Sequence, residues 1–172
     1  MRTDYINNDT IGVLLWALVP ADKLICEIML QTGWRVEDVL NIKTEQVVKA
    51  LNKKRTNISI IEQKTGKKST KYIPREILSS VQSQAGTIYA FEHRDDFTRH
   101  RTRQAVYSDL KRVAKKFGLK INLAPHSMRK NYAVYIYNKT GDMKKVQSAL
   151  NHDNQMVTVL YALSDQLLKK QK

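Results

Sequence analysis

The chain has 172 residues, enough for one domain that removes roughly 70% of its unfolded surface from water, so a packed core needs no staples. At 42% hydrophobic and 27% charged it is not a disordered chain, and its single cysteine, Cys26, excludes an internal disulfide and a cysteine-built zinc site. A total of 30 Lys and Arg against 16 Asp and Glu leaves a net charge of +14, which favours a polyanionic partner.

The longest apolar run, Ile11 to Pro20, is about half of what a bilayer span needs. Asp4 and Asp9 stand where a signal peptide carries positive charge, and no clear small-residue cleavage site follows. The basic charge is spread over many segments, whereas membrane-surface binding calls for one strongly amphipathic basic helix. The expectation is therefore a cytoplasmic protein acting on nucleic acid, with no membrane partner.

Ile11, Leu14, Leu15 and Leu18 recur at helical spacing after Asp9 and Thr10, either of which can cap. A second helix starts at Pro20–Asp22, carries Leu24, Ile25, Ile28 and Met29 on one face, and ends near Gly33. A short third helix runs from Arg35 to about Asn41. Val47–Val48, Asn57–Glu62 and Ser69–Ile73 are expected strands of one small three-stranded antiparallel sheet. Lys64-Thr65-Gly66-Lys67 forms a tight turn between the last two, because Gly66 supplies positive φ.

Pro74 opens a helix to about Gln84. Thr87–Phe91 is a candidate short strand, followed by a polar loop. Val106, Leu110, Val113 and Phe117 step by four, three and four, so about 101–117 is helical, and Gly118 ends it. A helix of about 127–139 follows Pro125 and stops at Gly141. Asp142 caps a short helix carrying Val146, Ala149 and Leu150. Asn154 caps a last helix with the stripe Met156, Leu160, Leu163 and Leu167. The fold class is mostly α with a small sheet, a single domain over residues 1–172.

Four stretches could carry chemistry. In Pro125-His126-Ser127-Met128-Arg129, His126 and Arg129 stand three apart at a helix start, where both can face one side and free N–H groups suit a phosphate. Nine residues separate His152 from Tyr161, the latter beside the apolar stripe of the last helix. Thr32-Gly33-Trp34-Arg35-Val36-Glu37-Asp38 places Arg35 after a glycine turn, with Asp38 one turn on. Lys64 sits at the edge of the hairpin turn, with Lys67 and Lys68 beside it. Each stretch alone has an ordinary explanation: a solvated His and Arg, a half-buried core Tyr, a surface ion pair, a solvated turn Lys.

In this order and at these intervals the stretches resemble the catalytic domain of the tyrosine recombinases, the phage-integrase family. The resemblance runs from about Ala21 to Leu163. The basic segment Thr102–Leu119 looks like the family's helix before His-x-x-Arg. The resemblance implies that Arg35 and Arg129 clamp the non-bridging oxygens of the scissile phosphate, and that Lys64 protonates the leaving 5′ oxygen. It further implies that His126 assists proton transfer, that His152 donates a hydrogen bond to the phosphate, and that Tyr161 attacks phosphorus to form a 3′-phosphotyrosine. Asp38 matches the acidic residue that supports the active site. Two forked, always-charged guanidiniums suit the equatorial charge of a phosphodiester transition state, and a cationic pocket helps a tyrosine of ordinary pKa about 10 to ionise.

The activity implied by the resemblance is site-specific recombination on double-stranded DNA, with a tetrameric synapse and no metal or other cofactor. Leu150-Asn151-His152 replaces the family's usual Leu-Gly-His, and Asn tolerates the positive φ such a turn needs. Only about twenty residues precede the match, so the family's N-terminal DNA-clamping domain is expected to be missing. Arg101, Arg103, Lys111 and Lys115 are candidate DNA contacts. A metal site at His93, His100, Asp95 and Asp96 is chemically conceivable but has no recognisable spacing. Two other functions stay open: a type IB topoisomerase-like enzyme, and a non-catalytic DNA-binding relative that acts as a regulator.

Overall fold

A computed structural model describes residues 6–150. His152, Tyr161 and the helix expected after Asn154 lie outside the described residues.

Helices α1 (Asn8–Ala17), α2 (Pro20–Thr32) and α3 (Val36–Leu40) follow one another closely. The cap of α1 is Asn7, whose side chain accepts from the Thr10 amide at 2.8 Å, so the helix starts before the expected Asp9 or Thr10. Proline opens α2, where its missing N–H is no loss, and Gly33 closes it in the left-handed region at φ 71°. A fourth helix, α4 (Thr44–Leu51), occupies the position expected of the first strand. Val47 and Val48 are β-branched, but Gln46 reaches back to the Lys43 amide at 2.8 Å and nucleates the turn. Val47 and Ala50 then face the core three residues apart.

Strands β1 (Asn57–Ile61) and β2 (Lys68–Tyr72) pair antiparallel, with Ile58 opposite Lys71 and Ile60 opposite Ser69. The expected three-stranded sheet is instead two separate two-stranded sheets. Helix α5 (Arg75–Gln84) follows β2, and the second hairpin comes from β3 (Glu92–His93) and β4 (Asp96–His100), inside the stretch expected to be a loop. Thr87–Phe91 is not a strand. It makes a single bridge, Tyr89 to Lys43, and buries Ala90 and Phe91.

The remaining helices are α6 (Arg103–Lys116), α7 (Pro125–Thr140) and α8 (Met143–Ala149). Thr102 caps α6 through the Ala105 amide, and Asp142 caps α8 through the Lys144 and Lys145 amides. Val106, Leu110 and Val113 are buried as their spacing predicts, whereas Phe117, the residue that ends α6, is exposed.

Helix α2 is the centre of the fold and packs against α1, α3, α5 and α7. Its Ile25, Cys26, Ile28 and Met29 are all buried. Burial pushes the Cys26 thiol far above its usual pKa, with the carboxylates of Asp22, Asp109 and Glu27 adding to the effect. Trp34, also buried, donates its indole N–H to Ser69 Oγ at 2.8 Å and so ties the turn after α2 to β2. Tyr132, Ala133, Val146 and Leu150 form a smaller apolar cluster between α7 and α8. No described helix is long and apolar enough to cross a membrane.

Candidate active site

Arg35 leaves the turn after α2 as the residue that caps α3, and Arg129 sits one turn into α7 beyond His126. These two elements meet at a cavity of about 480 Å³. Its wall includes Arg35, His126 and Arg129, together with Arg103 and Tyr107 of α6 and Asn122 of the loop before α7. Among the described residues the fold therefore brings together three of the four expected catalytic residues, Lys64 being the exception.

Arg129 is 2% exposed and is bound at both ends of its fork. Nη1 donates to the Gly33 carbonyl and Nη2 donates to the Leu150 carbonyl at 2.8 Å. One side chain thus ties together the turn before Arg35, helix α7 and the end of α8. Burial first, and then the Arg35 charge, pull the Arg129 pKa down to about 10, while Glu62 and Asp38 oppose both.

Arg35 is neutralised by residues of the first hairpin and of its own helix. Its Nη1 lies 2.9 Å from Glu62 Oε2 and 3.8 Å from Asp38 Oδ2. Both carboxylates are 2% exposed. Asp38 also accepts from the Gln63 amide at 2.9 Å, and Glu62 accepts from the Thr65 hydroxyl at 3.3 Å. The two acids therefore fasten the root of the hairpin turn to α3. Sequence reasoning picks out Asp38 and misses Glu62. An acidic residue just past a strand carries no signal of its own until the fold brings Arg35 to it.

Lys64 stands exposed in the turn and is not part of the cavity wall. Arg103 is exposed at the start of α6 and faces the cavity. Lys111 donates to Asn122 Oδ1 at 2.8 Å and lies 5.3 Å from the centre of the Tyr107 ring, so it braces the cavity wall. Lys115 is exposed in the last turn of α6, where cations suit the helix dipole. Arg101 points inward: Nε and Nη2 bind the fully buried Asp22 carboxylate at 2.6 and 2.8 Å. This chelation commits much of its fork to the interior.

The His93–His100 stretch is hydrogen-bonded within the second hairpin and beyond it. His93 Nδ1 accepts from the Asp95 amide at 3.2 Å. His100 Nδ1 lies 2.7 Å from the Arg101 carbonyl, and its Nε2 lies 3.6 Å from Glu37. Among the described residues no three His, Cys, Asp or Glu side chains are grouped to hold a metal ion.

Three polar atoms in this region are buried without a hydrogen-bond partner: Arg35 Nη2, Arg129 Nε and Asp38 Oδ2. Leaving a buried donor unsatisfied costs about 1–3 kcal/mol. Two such guanidinium donors beside an open cavity form an arrangement that an anion with several oxygens would complete.

Comparison with known proteins agrees with this fold. The description of the phage integrase family fits residues 14–167. Tyrosine recombinase XerD of Lacticaseibacillus casei is 27% identical over 165 residues, covering 86% of this chain and 52% of the relative. Tyrosine recombinase XerA of Pyrococcus furiosus is 26% identical over 146 residues, covering 81% of this chain and 49% of the relative. The chain thus spans about half the length of these curated relatives. Among solved structures, the catalytic core of lambda integrase superposes with a TM-score of 0.69 at 20% identity, covering 89% of this chain and 93% of that one. XerH recombinase in a post-cleavage complex with its palindromic difH substrate superposes at 0.72 and 20% identity, covering 99% of this chain and 52% of that one. The fold is that of a tyrosine recombinase catalytic domain, and with a match running from α1 past the end of α8, the chain belongs to the phage integrase family.

Proposed function

We propose that this chain is the catalytic domain of a site-specific DNA recombinase that cleaves and rejoins strands through a 3′-phosphotyrosine on Tyr161. The observation that carries the reading is the pair of guanidiniums, Arg35 half-buried and Arg129 buried, each with an unsatisfied donor beside a cavity that His126 also lines. That arrangement suits the equatorial oxygens of a phosphoryl group under attack.

In the proposed reaction the Tyr161 phenolate attacks phosphorus and the bond to the 5′ oxygen breaks. Lys64 supplies the proton that the leaving oxygen takes up, and His126 assists proton movement at the nucleophile. His152 adds a hydrogen bond to the phosphate. Asp38 and Glu62 hold Arg35 in place. The covalent link conserves the phosphodiester's energy, so the reverse attack by a 5′ hydroxyl rejoins the strand without ATP. This scheme draws on the chain's own side chains and calls for no cofactor.

Arg103 and Lys115 are the candidate phosphate contacts outside the cavity. Lys111 contributes mainly by bracing Asn122, and Arg101 by holding Asp22. The partner is double-stranded DNA, and the working assembly is a multimer on it. Support for the multimer comes from lambda integrase, solved as a tetramer bound to a Holliday junction. The protein would act on DNA in the cytoplasm of a bacterial or phage-infected cell.

The test is incubation with nicked duplexes carrying candidate sites, followed by denaturing electrophoresis. The chain should form a covalent DNA adduct, and Tyr161→Phe should form none while keeping its DNA affinity, because affinity comes mainly from Lys and Arg contacts to phosphates. DNA binding without any adduct would favour a regulator instead.

A further inference from the structure

The carbonyls of Ala149, the last residue of α8, and of Leu150, its cap, are both held by cations from other elements. Arg129 of α7 takes the Leu150 carbonyl. Lys71 of β2 takes the Ala149 carbonyl at 2.9 Å. The Lys71 ammonium also lies 3.4 Å from the Tyr132 hydroxyl and 5.6 Å from the centre of that ring. A helix end leaves its final carbonyls without amide partners and carries partial negative charge, so a fixed cation there is favourable.

Lys71 differs from the other lysines of its hairpin. Lys64, Lys67 and Lys68 are exposed, whereas Lys71 is half-buried between β2, α7 and α8. Burial pushes its pKa down, Glu62 pulls the other way, and Arg129 lowers it again. An ammonium aimed at a carbonyl in such a place is badly placed to meet a DNA phosphate. Its hydrogen bonds instead link the strand that follows the Lys64 turn to the segment that precedes His152.

We propose that Lys71 is a positioning residue for strand cleavage, fixing the Ala149 carbonyl and with it the end of α8, whose next carbonyl Arg129 holds. This assignment rests on the recombinase reading above. Tyr132 is its accessory, since the same ring that receives Lys71 packs against Gly33, next to the turn bearing Arg35.

The test uses the full chain with three substitutions: Lys71→Met, of similar length but without a donor; Lys71→Arg, which restores one; and Lys68→Met, an exposed control on the same strand. Three quantities are read: single-turnover cleavage of the nicked duplex at saturating DNA, DNA affinity, and amide hydrogen exchange. Lys71→Met should slow cleavage about tenfold or more, equivalent to roughly 1.4 kcal/mol in the barrier. Its Kd should stay within about twofold of the parent, since no phosphate contact is removed. Exchange should quicken over residues 146–150 and not in β1 or β2. Lys71→Arg should recover most of the rate, and Lys68→Met should cleave like the parent. Parental cleavage by Lys71→Met, a defect confined to Kd, or faster exchange confined to the hairpin would each overturn the Lys71 assignment alone. A parent chain that forms no adduct overturns the recombinase reading, and the Lys71 assignment with it.

Discussion

Arg35 and Glu62 stand 27 residues apart in sequence and meet as an ion pair of 2.9 Å, with the carboxylate almost fully buried. Glu62 directly follows β1 and leads into the Lys64 turn, and Arg35 opens α3. Two parts of the candidate site that lie on different elements are therefore joined through one buried charge pair. The carboxylate also offsets the repulsion between Arg35 and Arg129.

Glu62→Gln should destabilise the protein by about 3 kcal/mol, the low end of what breaking a buried ion pair costs, because Asp38 still faces Arg35. Urea denaturation measures it. The gap between variant and parent should narrow in sulfate relative to chloride, since an anion in the cavity can stand in for the lost carboxylate. A gap that is the same in both salts would mean that the guanidiniums do not present their donors to the cavity.

Arg101→Ala should be a stability variant with a marked pH dependence. Burial holds the Asp22 carboxyl above its usual pKa despite the Arg101 hydrogen bonds, and Asp109 adds to the rise. For a carboxyl raised in the folded state, the unfolded chain gives up its proton first, so stability falls as pH climbs from the ordinary carboxylate range toward the raised value. Removing Arg101 raises that value further and deepens the fall. The loss should be about 3–5 kcal/mol at neutral pH, where Asp22 is left charged and unpaired, and clearly smaller near pH 5. Urea midpoints at the two pH values decide it, and an equal loss at both would contradict a buried, charged Asp22.

Periodicity made most helices legible, because Leu24, Ile25, Ile28 and Met29 or Val106, Leu110 and Val113 can face one core only as helices. It failed where local chemistry overrode it. Val47–Val48 reads as strand by β-branching, but the Gln46 contact to the Lys43 backbone settles a helix. Asp96–His100 reads as loop because its residues are mostly polar, although backbone pairing with Glu92–His93 needs no apolar face. At the site, His126 and Arg129 are legible because three-residue spacing on a helix fixes their relation. Glu62 and Lys71 are not, and neither is the contact of the Gly33 carbonyl with Arg129. Their partners lie far along the chain, and a glutamate, glycine or lysine has no composition signal that names a distant contact.

Lys64, rather than Lys67 or Lys68, is proposed as the general acid, and it stands exposed outside the cavity wall. Catalytic contacts commonly tighten only in the substrate complex, so the turn is expected to bring Lys64 inward when DNA binds. A substrate with sulfur in place of the bridging 5′ oxygen has a leaving group that needs no proton. Lys64→Ala should cleave the ordinary substrate on the order of 10²-fold more slowly than the parent does, and the sulfur substrate almost as fast. Arg35→Ala should be defective on both, because charge stabilisation is needed either way. Sulfur rescue of Lys67→Ala or Lys68→Ala instead would move the assignment.

The place of Cys26 inside α2 has a practical side. It is the sole cysteine of the chain, fully buried, and its thiol is kept protonated by its surroundings. Reagents that need a thiolate therefore pass the native protein by. A cysteine introduced at an exposed position such as Lys64 or Lys115 would be the one reactive thiol, and the wild-type background can carry a spin label or fluorophore without first being stripped of its own sulfur. Hairpin movement on DNA could be followed this way in a protein whose core is untouched, with the appearance of a second reactive thiol serving as a built-in alarm for unfolding.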